Sequence, residues 1–112
     1  MSDKVLNLVG LAHRAGKTVC GAQAAEQQIK KNGAALLFLA SDSGPTNEER
    51  YVRFGTRKHI DMIRTYSKEQ LGLALGRSQT AVIVVTDKGF AEAMIKAVQE
   101  QRIMVSMNTP IA

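Results

Sequence analysis

Tryptophan is absent from this 112-residue chain, cysteine occurs once, proline twice, and only 4% of the residues are aromatic. Each shortage closes off a class of protein. The lone Cys20 cannot form an internal disulfide, and His13 and His59 stand far from it and from each other, without the spacing of a zinc site. The chain is therefore expected to need no metal, cofactor or cross-link, and to work in a reducing, cytoplasmic setting. So few aromatics argue against a sheet face on which successive bases stack, as RRM and OB modules use. Long apolar runs are lacking too: the longest, Ala34 to Ala40, has strand length, well short of the roughly 18 residues a membrane span needs. Near the N-terminus Asp3, Lys4, Asn7 and Arg14 interrupt the apolar residues, which is not the pattern of a secretion signal. Acidic residues are in the minority, 10 against 15 Lys and Arg, and the formal charge of +5 favours a polyanionic partner.

What is present reads as alternating helix and strand. Val5, Leu8, Val9 and Ala12 recur at i, i+3, i+4, i+7, which lines one face of a helix over 3–14 that stops at Gly16. Thr18 to Cys20 is β-prone, and Gly21 opens a helical segment with Ala22, Ala25 and Ile29 on one side, ended at Gly33. Ala34 to Ala40 is apolar without alternation, as expected of a strand covered on both faces. Ser41 to Pro45 breaks it. A helix over 46–58 carries Glu48 and Glu49 in its first turn and Arg57 and Lys58 in its last, the polarity the helix dipole favours. A strand over 60–64 follows. Ser67 and Gln70 have the form of a capping box for a short helix over 68–75 that stops at Gly76. Ala81 to Val85 is another buried strand, and Thr86-Asp87 caps a last helix with Ala91, Met94, Ile95 and Val98 facing inward. This pattern predicts an α/β fold, a three-layer α-β-α sandwich on a mixed four-stranded sheet, with residues 1–102 forming one domain and 103–112 a C-terminal extension. Ile103 to Val105 either extend the sheet or stay apart from it.

Several clusters have the chemistry to meet an anion or a base. In Lys17 to Gln23, Gly21 allows a tight turn and the first amides of the next helix, from Ala22 onward, face outward, an arrangement suited to phosphate. Arg14 and Lys17 lie beside it in sequence, and Lys30 and Lys31 close the helix. Gln23 and Gln27 share a helix face, and a carboxamide offers a base edge both donor and acceptor. The polar loop Gly76-Arg77-Ser78-Gln79-Thr80 is a second candidate surface. Asp42 and Asp87 both follow strands, where α/β sheets gather ligands, although helix capping is the simpler use of each. Arg50, Arg53 and Arg57 form a stripe at i, i+3, i+7 that reads as a phosphate track or as a solvated face. His13 has no nucleophile at motif spacing.

Taken in order, Leu6-Asn7-Leu8-Val9-Gly10-Leu11-Ala12-His13-Arg14-Ala15-Gly16-Lys17, Gly21, Leu39-Ala40-Ser41-Asp42, Leu71-Gly72-Leu73-Ala74-Leu75-Gly76 and Val85-Thr86-Asp87-Lys88-Gly89-Phe90 resemble the bacterial YlxQ-type proteins of the ribosomal protein L-seven-Ae superfamily. The resemblance spans about residues 4 to 100. It implies an α-β-α sandwich without catalytic activity whose characteristic ligand is the kink-turn, a bent RNA helix with a bulge and tandem sheared G·A pairs. The family's Gly-x-Asn-Glu-x-x-Lys motif falls on Gly21, Gln23, Ala24 and Gln27. Gly21 is kept and Gln23 has the groups to bond a guanine edge, while Ala24 lacks the acidic contact and Gln27 the cation. The loop that caps the bulged nucleotides in the family falls on Gly76 to Thr80, polar here where the family is apolar, and Asp42 is carried into the RNA-binding set.

The leading expectation is a non-enzymatic, monomeric RNA-binding protein that recognises kink-turn-type RNA, in a ribosomal or regulatory ribonucleoprotein, with no membrane partner. A protein-interaction module that has lost kink-turn specificity is the alternative, and a small enzyme comes third. Convergence of the Gly21 and Gly76 elements on one face favours the first, a contiguous exposed apolar patch the second, and a deep pocket at Asp42 or Asp87 the third.

Overall fold

The computed structural model describes residues 3–101 and the backbone of residues 105–106. Its order is α1 (Lys4–Arg14), β1 (Thr18–Cys20), α2 (Ala22–Lys30), β2 (Leu36–Leu39), α3 (Pro45–Lys58), β3 (Met62–Ile63), α4 (Lys68–Ala74), β4 (Val82–Val85), α5 (Lys88–Glu100) and β5 (Val105–Ser106). The expected mixed sheet is present in the order β1-β4-β2-β3, and β5 adds a short fifth strand beside β3. Pairing is antiparallel between β1 and β4, β2 and β4, and β3 and β5, and parallel between β2 and β3. The backbone of Val105 thus joins the sheet; the remainder of the 103–112 extension lies outside the described residues.

Two cores hold the layers together. Leu36, Phe38 and Ala40 from the β2 segment and Ile83 and Val85 from β4 pack with α1, α4 and α5. Leu37, Leu39, Val82 and Val84 turn the other way and pack with Ala25 and Ile29 of α2 and Tyr51 of α3. The two-residue period of a strand is therefore hidden in the composition and present in the packing: both sets are apolar because both faces are covered.

Helix ends follow local chemistry. Asp3 Oδ1 accepts from the backbone N–H of Val5 and Leu6 and starts α1, and Asp87 alone caps α5 by accepting from Phe90 N. Ser67 and Gln70 form the predicted reciprocal capping box on α4. α3 begins one residue earlier than expected, because Pro45 suits the first helical position. The strand predicted over 60–64 shrinks to Met62–Ile63: the Ile60 N–H is spent on Gly55 O at the end of α3, and Arg64 turns out to pair with Glu48. Among the described residues no helix is long and apolar enough to cross a membrane.

Candidate nucleic-acid interface

The register of the sheet decides what meets at its end. Because β1 runs antiparallel to β4, the last residue of β1, Cys20, lies opposite Ile83 near the start of β4. Leu39 at the end of β2 lies opposite Val82. The start of α2 after β1, the start of α3 after β2 and the loop that enters β4 are thereby gathered at one end of the sheet. Between them is a cleft of about 180 Å³, lined by Gly21 and Ala22 from α2, Asn47 and Tyr51 from α3, and Arg77, Gln79 and Thr80 with the first residues of the β4 segment.

Each wall has its own cause. Gly21 adopts φ 93°, ψ 144° and carries no capping side chain. That conformation is strained for any residue with a Cβ, and the missing cap leaves the first amides of α2 open to an outside acceptor at the positive end of the helix dipole. Tyr51, buried against Ala25 and Ile29, donates its hydroxyl to Ala22 O at 3.2 Å and pins the start of α2 to α3. Burial, then the charge of Glu26, holds the Tyr51 phenol above its ordinary pKa, with Arg50 acting against them, so it is a neutral donor. Arg50 also pairs with Glu26 at 2.8 Å, a second tie between the helices.

The loop wall rests on α4. Arg77 N donates to Gly72 O, Gly76 N to Leu73 O and Thr80 N to Lys68 O, so the loop folds back over the helix it leaves. Gly72 permits this: a Cβ there would lie 2.8 Å from Gln79 N and Cα and from the Ser78 carbonyl carbon. Arg77, Ser78 and Gln79 are exposed. Thr80 is only 8% exposed, and its Oγ1 is buried with no hydrogen-bond partner among the described residues. A buried hydroxyl left unpaired is costly, and this one lies in the residue that lines the cleft.

The sequence-predicted residues divide accordingly. Gly21, Ala22, Arg77, Gln79 and Thr80 line the cleft; Gln23, Ala24 and Gln27 are exposed along α2, which runs from it, and Gly76 and Ser78 are exposed in the same loop. Lys30 and Lys31 lie at the far end of that nine-residue helix, roughly 13 Å away by its rise. Arg14 belongs elsewhere, lining a groove between α1 and α4, and Lys17 is exposed and offers its carbonyl to Thr86. Asp42 does not line the cleft. Its carboxylate accepts from Lys68 N at 2.8 Å and fixes the start of α4, which is the capping use that the residue type suggested. The arginine stripe of α3 is partly neutralised, since Arg50 pairs with Glu26 and Arg53 with Glu49. His13 sits with its Nδ1 2.9 Å from Thr18 Oγ1.

Asn47 and Tyr51 line the cleft without belonging to any motif legible in the sequence. In the structure Gly44 before α3 has φ 96°, ψ 157°, nearly the conformation of Gly21 before α2.

Comparison with known proteins adds the following. The family model for the ribosomal protein L7Ae/L30e/S12e/Gadd45 family matches residues 3–95. The RNA-binding protein YlxQ of Bacillus subtilis is 30% identical over 88 residues, covering 79% of this chain and 88% of that protein. The large ribosomal subunit protein eL8 of Thermoplasma volcanium is 26% identical, covering 88% of this chain and 82% of its own length. A Bacillus halodurans protein of unknown function superposes with a TM-score of 0.84 at 26% identity over 88% of this chain and 99% of that one. The Giardia lamblia 15.5kD RNA binding protein, at 21% identity and a TM-score of 0.71 over 89% of each chain, shares the fold.

Proposed function

The chain belongs to the ribosomal protein L7Ae/L30e/S12e/Gadd45 family, and from that premise we propose that it is a non-enzymatic RNA-binding protein that recognises kink-turn-type RNA as a cytoplasmic monomer without a cofactor. The observation that carries the reading is the convergence of the Gly21 helix start and the Arg77 to Thr80 loop on one cleft. A bent RNA has widened grooves and extruded nucleotides, and helix ends and polar loops suit such shapes better than a flat stacking sheet does. The name of the relative from Bacillus subtilis supports RNA as the ligand class.

In this reading the first amides of α2 and the exposed Gln23 carboxamide meet base edges and backbone beside the G·A pairs. Ala24 and Gln27 supply neither the acid nor the cation of the family motif. Arg77, on the opposite wall and without an ion-pair partner among the described residues, supplies a positive charge there. Lys30 and Lys31 at the end of α2 extend the contact along the phosphate backbone.

The test is binding of the intact chain to a kink-turn RNA and to a matched straight duplex at two salt concentrations. We expect a clear preference for the kinked RNA. Gln23→Ala should weaken that binding by about 1–3 kcal/mol and leave the duplex unaffected, and replacing Lys30 and Lys31 by Ala should make the salt slope shallower by roughly one to two. Equal, weak and strongly salt-dependent binding to both RNAs would overturn kink-turn recognition.

A further inference from the structure

Three large apolar side chains are notably exposed among the described residues: Leu11 at 48%, Val52 at 37% and Leu73 at 69%. Two of them share one place. Leu11 of α1 and Leu73 of α4 flank a groove of about 590 Å³ between these helices, on the layer of the sandwich that α1, α4 and α5 build. Gly10 lets the floor form, since a Cβ there would lie 3.0 Å from Ala74 O of α4.

The polar groups of the groove are graded. At one end Asp3 has no capacity to spare: its carboxylate accepts from Val5 N, Leu6 N, Tyr66 Oη and Gln101 Nε2. At the other end Arg14, one helical turn beyond Leu11, is exposed and makes no ion pair or hydrogen bond among the described residues. Between them Leu6, Leu11, Leu73 and Ala74 line the groove together with Asn7 and Gln70, and such a surface ending in a guanidinium is complementary to a row of apolar side chains followed by a carboxylate. It fits poorly with a phosphate backbone, which leucines this exposed would leave unsatisfied, and with a second copy of this chain, whose formal charge is also +5.

We propose that the α1–α4 groove is a docking surface for an acidic amphipathic helix of another protein, which lays apolar residues against Leu11 and Leu73 and sets a carboxylate on Arg14. The recognition is of the helix-in-groove kind, with a bidentate arginine–carboxylate pair fixing direction. The groove shares no lining residue with the cleft at the start of α2, so a protein partner and the cleft's ligand have separate seats.

Selection from a displayed library of randomised helical peptides against the intact chain tests this. Peptides that bind should carry an apolar pair one turn apart and an acidic residue beyond it, and in NMR titration their perturbations should fall on residues 6–14 and 70–74. Leu73→Ser, at an exposed position that the fold does not need, should weaken such a peptide by roughly tenfold. Arg14→Glu should reverse the preference, so that a peptide with lysine in place of its acid binds better. Binders without an acidic residue, binding unaffected by Leu73→Ser, perturbation of these residues by duplex RNA alone, or self-association mapped to the groove would each overturn the proposal.

Discussion

Thr80 is the residue whose chemistry is least settled by the fold itself. Its backbone N–H is satisfied by Lys68 O, while its hydroxyl is buried without a partner among the described residues, a cost to the free protein that a ligand in the cleft can relieve. Thr80→Val is isosteric and removes that liability. The variant should be as stable as the parent or more so, by up to about 1 kcal/mol, and should bind kink-turn RNA more weakly by a similar amount. Chemical denaturation and RNA titration on the same samples check both, and a variant that loses stability without losing affinity would give the hydroxyl a purely structural role. Asp42 makes the opposite case. Asp42→Ala should cost about 1 kcal/mol of stability by freeing Lys68 N and leave RNA affinity unchanged. A loss of RNA binding at intact stability would return Asp42 to the interface. Residue by residue, the sequence identifies types well and uses poorly: it marks Asp42 and Asp87 as capping-competent carboxylates after strands, but only the structure shows that one holds its own helix and the other a helix 26 positions away in sequence.

At the scale of elements, helices were legible because their signals are local. The face of Val5, Val9 and Ala12, the Ser67–Gln70 box and the Asp87 cap each need only a few neighbouring residues, and all three are as read. Strand ends were less so, since whether Ile60 or Arg64 belongs to a strand depends on bonds to Gly55 and Glu48 that no window of sequence contains. The α4–β4 loop lies between these cases. Its polar composition marked it as a surface element, yet its position depends on Gly72, which the sequence presents as one glycine among nine. Gly72→Ala pushes a methyl into loop backbone that has no flexible end to yield. We expect a destabilisation of roughly 1–3 kcal/mol, and amide shifts in NMR spectra concentrated in residues 76–80. Unchanged stability with an undisturbed loop would mean that α4 and the loop have more room between them than their spacing indicates.

At the scale of the whole molecule, each helical layer is tied together by one phenol. Tyr66 donates to both carboxylate oxygens of Asp3, and Tyr51 donates to Ala22 O. Burial, first, and then the Asp3 hydrogen bond and charge raise the pKa of Tyr66; burial and Glu26 raise that of Tyr51. In both the folded state favours the protonated form. Their contribution is therefore complete below the unfolded value of about 10 and is lost as pH rises toward the folded values. Thermal midpoints should fall progressively above about pH 10, and Tyr66→Phe should flatten that fall while lowering the midpoint at neutral pH. An alkaline slope identical in the variant would exclude Tyr66 as its source. The α/β class and the layer count were readable at this scale, because two uninterrupted apolar strands between amphipathic helices admit few other arrangements. The order of the strands was not, since no local feature says that β4 inserts between β1 and β2.

That insertion sets the time at which the protein can first act. The cleft draws on residues 21–22, 47–51 and 77–82, and the strand that brings the first group alongside the last is the fourth of the five in chain order. A nascent chain on the ribosome has made the glycine, the tyrosine and most of its basic residues before β4 leaves the exit tunnel, but the strand that aligns the cleft's walls is still missing. The cleft can be complete only once β4 lies between β1 and β2, and a chain that ended before β4 would carry positive charge without a shape to direct it.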